Sequence, residues 1–142
     1  MESYRKVRIG LSYVGTAAAV FLVLGASAGC SNPSGMNTQR FVIAVDSISV
    51  PDTIAPSDTL TARFFGKIGP NQCFRLDRVE RGRGGGLLEL RFHGERNEDG
   101  DCLQMPAVLD HVEEVLPPVE DPFRIRVLQP DGSALEKVVR VR

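Results

Sequence analysis

The chain has 142 residues, with 17 Lys and Arg against 18 Asp and Glu, a formal net charge of −1, and 42% hydrophobic content. That length suits one domain around one core, and so even a charge balance excludes a protein that works by bulk attraction to nucleic acid or another polyanion. The amino terminus comes first and differs from all that follows. Residues 1–8 carry Arg5, Lys6 and Arg8, residues 9–28 carry no charge, and the run ends in Ala26, Ser27, Ala28, Gly29 and Cys30. Basic residues stay on the cytoplasmic side of a membrane, an apolar run of this length enters the bilayer, and small residues leave room for a peptidase. Residues 1–29 are therefore expected to be a cleaved hydrophobic signal helix, outside the fold.

The basic head, apolar run and small residues before Cys30 resemble a bacterial lipoprotein signal peptide, with Ser27 in the slot where that family usually carries an aliphatic residue. The resemblance implies that Cys30 becomes the first mature residue and receives the lipid, so the membrane is the first partner. In that family the residue after the cysteine influences membrane choice, and Ser31 is not the Asp associated with inner-membrane retention. The implied location is the cell envelope, with the outer membrane favoured. Two alternatives remain open. Ala26 to Ala28 also form a small-x-small site for the general signal peptidase, which would give a soluble exported protein beginning at Gly29. Twenty residues at about 1.5 Å each could also span a hydrocarbon core about 30 Å thick without cleavage.

Cysteine parity bears on that choice. The three cysteines are Cys30, Cys73 and Cys102. Exported compartments favour paired cysteines, so lipidation of Cys30 lets Cys73 pair with Cys102 and leaves no odd thiol. The alternative is two separate thiols.

Removing the leader takes away three of the 17 cations and one of the 18 anions, which leaves 113 residues at a net charge of −3. Residues 30–40 continue as a polar segment with Pro33 and Gly35 and no apolar period, which predicts a flexible tether. The domain is expected over 41–142. Residues 41–50 predict the first strand, and two prolines punctuate 51–58. In 59–68, Leu60, Ala62 and Phe64 alternate with Thr61 and Arg63; residues 73–81 follow a turn at Gly69 and Pro70. Glycines over 82–86 predict a hairpin into a strand with Leu88, Leu90 and Phe92 on one face. Residues 108–116 make a fifth strand with poor alternation. Phe123, Ile125 and Val127 alternate with Arg124 and Arg126, and a turn at residues 130–133 leads to 134–141.

The expectation is all-β, with about seven antiparallel strands in two packed sheets. Strand count and spacing over 41–142 resemble an immunoglobulin-like or fibronectin-like sandwich. The chain has no Trp, and its cysteines do not fall at the positions of the antibody-domain bridge.

The residues that could carry chemistry have plainer readings. The Arg-Gly run at 81–86 looks like a nucleic-acid tract, but it joins two predicted strands, where glycines permit a turn. Arginines 75, 78, 81, 83, 91 and 96 alternate with Asp77, Glu80, Glu89 and Glu95, which predicts a mixed, solvated strand face. The acidic run 95–101 is rich in oxygen ligands, yet lacks the spacing of the twelve-residue calcium loop. His93 and His111 have no second ligand at helical or hairpin spacing, so no metal site is expected, and no nucleophile elbow or phosphate loop occurs. No cofactor is implied, and an enzyme is not expected. The sequence predicts a lipid-tethered, non-enzymatic binding or structural module for an envelope protein or glycan, working through loops 82–86, 94–101 and 117–122. The alternative is a small exported protease inhibitor.

Overall fold

The structure, a computed structural model, describes residues 37–98 and 100–142. The expected leader over 1–29, Cys30 and most of the expected tether lie outside the described residues. Nine strands form among the described residues, not seven, and no helix. They are β1 (Thr38–Val42), β2 (Val45–Ser49), β3 (Thr53–Ile54), β4 (Leu60–Gly69), β5 (Phe74–Gly84), β6 (Leu87–Asn97), β7 (Ala107–Val115), β8 (Phe123–Leu128) and β9 (Ala134–Val141).

Two of the differences from expectation have one physical cause each. The run read as one strand over 41–50 is divided because the chain changes sheets: Val42 pairs with His93 of β6, whereas Ile48 pairs with Phe64 of β4. At the crossing, the Ile43 N–H donates to the Phe92 carbonyl at 2.9 Å. Val45 has both main-chain groups held by the Gln129 carboxamide, at 3.1 and 3.0 Å, as a neighbouring strand would hold them. β3 is the other addition. It lies in the proline-punctuated segment and pairs parallel with β9 over two residues. β1 also begins at Thr38, inside the segment expected to be tether.

The larger sheet has six strands. β6 pairs with β5 along one side, and along the other with β1 over residues 93–97 and with β8 over 87–90; β9 and then β3 follow β8. The smaller sheet is β2-β4-β7. Not every pair is antiparallel: β6 and β8 run parallel, because β7 crosses to the other sheet between them.

The inward residues expected from alternation form the shared core. Leu60, Ala62 and Phe64 of β4 are fully buried together with Leu90 and Phe92 of β6 and Ile125 and Val127 of β8. The Phe64 and Phe92 rings meet from different sheets with centroids 5.3 Å apart. Burying one such side chain contributes about 1.5–3 kcal/mol. Gly94 makes room for the first strand, since a Cβ there would stand 2.6 Å from Cζ of Phe41.

Candidate functional site

Two of the three loops singled out by the sequence meet at one end of the domain. The Arg-Gly run ends β5 and turns: Gly84 pairs with Leu87, and Gly85 and Gly86 between them have φ of 56° and 70°. Positive φ at both central residues is what a two-residue hairpin with a type I′ turn needs. The segment 117–122 lies against this turn. It contains cis peptide bonds at Pro117-Pro118 and Asp121-Pro122, and Val119 anchors it in the core. The Arg124 N–H donates to the Gly86 carbonyl at 2.8 Å, and the Val141 N–H donates to Asp121 Oδ1 at 2.9 Å. A Cβ on Gly86 would come within 3.2 Å of the Pro122 carbonyl oxygen and 3.3 Å of Glu120 Oε2, tighter than ordinary contact, and together with the positive φ this favours glycine.

Between the turn and the segment is an open cleft of about 430 Å³, with the backbone of residues 84–86 as its floor and Glu120, Asp121, Arg124 and Arg126 around it. Its charges are not equivalent. Arg126 is bound to Glu136 at 2.6 Å and lies 3.7 Å from Glu89, and Asp121 holds Val141. Neither the Glu120 carboxylate nor the Arg124 guanidinium has a side-chain hydrogen bond or ion pair among the described residues.

The third segment, expected as a loop over 94–101, is strand in its first half: residues 94–97 end β6 and pair with β1, and the chain leaves the sheet only after Asn97, at the opposite end of β6. Cys73 and Cys102 are disulfide-bonded there, across a sequence separation of 29. Asn97 N–H donates to the Cys73 carbonyl at 3.0 Å, and Gln72 N–H to the Leu103 carbonyl at 3.1 Å. The acids that the structure describes in this segment do not converge on a cation. Glu95 is bound by Arg75, Glu98 lies 3.7 Å from Arg96, and Asp99 is outside the described residues. No three His, Cys, Asp or Glu side chains group for a metal among the described residues.

The histidines are separated by the larger sheet. His93 lies 3.0 Å from Glu80 and faces away from the core, because its neighbour Phe92 faces in. His111 meets the edge of the Phe92 ring from the core side, at 5.4 Å between centroids.

What the sequence did not reveal is the cluster around His111. Arg81 of β5 donates to Glu113 of β7 through Nε at 2.5 Å and Nη2 at 3.0 Å, and through Nη1 to the Val79 carbonyl at 3.0 Å. His111 Nε2 lies 3.0 Å from the same carboxylate. Burial pushes the Glu113 carboxyl up, but the hydrogen bonds from Arg81 and His111 outweigh it and leave it below its ordinary value. Among the described residues each of β5 and β7 has one unpaired edge, so this cluster fastens two open edges and covers them with inward-facing charge. The available signal was the poor alternation of β7, whose inward positions 111 and 113 are polar.

No family model, curated protein or solved structure matches this chain.

Proposed function

We propose that this chain is a lipid-anchored protein of the bacterial cell envelope, whose immunoglobulin-like β-sandwich acts as a non-enzymatic binding module through the loop end at 82–86 and 117–122. The observation that carries the reading is the assembly of those two loops around one open cleft. Rigid strands hold both, which is how a sandwich presents a recognition surface. The sandwich itself is supported by the two sheets closing on one core through Phe64 and Phe92. Anchoring is supported by the sequence around Cys30, and an exported compartment agrees with the Cys73–Cys102 bridge.

The favoured partner is a polypeptide rather than a glycan. Sugar faces stack on exposed aromatic rings, and the chain has no Trp and has its two tyrosines, Tyr4 and Tyr13, in the leader. Of the partly exposed phenylalanines, Phe65 is covered by Arg63 at 5.1 Å, and Phe74 by Arg96 at 5.4 Å and by Phe41. The test is capture from envelope extracts with the immobilised mature chain beginning at Cys30. A partner retained in proportion to the bait supports the reading; loss of no partner on substituting the loop-end residues would overturn it.

A further inference from the structure

Resting on that reading, we propose that the cleft between the hairpin and the 117–122 segment takes a peptide carboxylate, gripped by Arg124. A guanidinium offers two parallel N–H groups that match the two oxygens of a carboxylate. Arg124 is the cation on the cleft wall whose side chain has no acceptor among the described residues, whereas Arg126 is already spent on Glu136 and Glu89. Arg83, beside the cleft, donates to the Leu116 carbonyl. The floor adds a second kind of recognition. Gly84, Gly85 and Gly86 carry no side chains, so a peptide backbone can approach their main chain, and the positive φ of Gly85 and Gly86 disfavours any residue whose Cβ would fill the space.

Glu120 sets the selectivity. It stands in the same cleft without a protein cation among the described residues, so it repels a ligand with several negative charges and favours one carboxylate accompanied by an amine or by neutral amides. The carboxylate can come from a chain terminus or from an acidic side chain. The two sources leave the same chemistry at Arg124 and are separated by the choice of probe.

The experiment is an amide and guanidinium chemical-shift titration of the isotope-labelled full chain in detergent micelles. The probes are trialanine with free termini, trialanine carboxamide, and N-acetyl-Ala-Asp-Ala-amide. Saturable shifts at Gly85, Gly86 and the Arg124 Nε–H group are expected with a carboxylate-bearing probe, and about tenfold weaker binding with the carboxamide. A response to trialanine alone assigns a terminal carboxylate; a response to the Asp peptide alone assigns a side chain. Arg124→Gln should remove the response with the rest of the spectrum unchanged, and Glu120→Gln should strengthen binding of the Asp peptide. Equal binding of acid and carboxamide, shifts that map away from the cleft, no shifts with any probe, or an undiminished response in Arg124→Gln would each overturn the proposal. Because the probes are synthetic, these results stand apart from whether an envelope partner is captured. Capture that survives Arg124→Gln would contradict carboxylate recognition and leave the binding module intact.

Discussion

Arg81 and Glu113 stand on different sheets, and theirs is the one ion pair that joins the two sheets among the described residues. Both side chains leave inward positions on edge strands. Their bond closes the seam where β5 and β7 each lack a neighbour among the described strands, and His111 shares the carboxylate. A polar fastening here costs less than in the core, since Arg81 keeps 48% of its side chain exposed while Glu113 keeps 13%.

Removing one partner leaves the more buried one uncompensated. Arg81→Ala is expected to destabilise the domain by about 1–2 kcal/mol, discounted from the cost of breaking a fully buried pair because Arg81 is half exposed. Denaturant unfolding of Arg81→Ala, Glu113→Ala and the double variant measures the coupling. Additive effects would show that the two residues do not act on one another.

The same carboxylate carries a pH signature. Glu113 is held below its ordinary value of 4.5, so its folded state binds a proton less readily than the unfolded chain. The stability it contributes is full above about pH 4.5 and is lost as the pH falls through its lower folded value. Glu80, lowered by its hydrogen bond with His93, and Asp110, lowered by Arg63, act in the same direction. Melting temperature should fall with acid below pH 4.5, and Glu113→Gln should fall less steeply from a lower starting point.

Reduction of the Cys73–Cys102 bridge opens a loop of 29 residues. The chain-entropy model gives a loss of about 3–4 kcal/mol. Paired Cys73→Ser and Cys102→Ser substitutions should lower the unfolding free energy by about that amount, with amide exchange rising first in the loop that follows β6.

Gly94 admits the Phe41 ring where a Cβ would stand 2.6 Å from Cζ. Gly94→Ala is expected to cost about 1–3 kcal/mol through overpacking. Truncating the ring should recover part of it, so Phe41→Ala combined with Gly94→Ala should be less damaging than the sum of the two changes, as measured by thermal unfolding.

The core was legible wherever alternation was clean. Leu60, Ala62 and Phe64, then Leu88, Leu90 and Phe92, then Phe123, Ile125 and Val127 all face inward, because a period of two leaves one choice of face. The turn at Gly85 and Gly86 was legible for a related reason, since few sequences supply two positive φ values. The sheet change near Ala44 was hidden because its hydrogen bonds come from Gln129, 84 positions away from Val45. β3 is held by two register pairs with β9, too short a segment for any periodicity. The seam cluster escaped because Arg81 sits in a tract dominated by its glycines, and Glu113 belongs to a strand whose polar inward positions blurred its pattern. The meeting of the two loops depends on the return of β8 beside β6, a topological fact with no local signature.

The central claim is an anchored module at the envelope, and the intact mass of the mature amino terminus tests it most directly. The account predicts a chain that begins at Cys30 and carries the mass of its lipid on that residue. An unmodified chain that begins at Gly29 would contradict it.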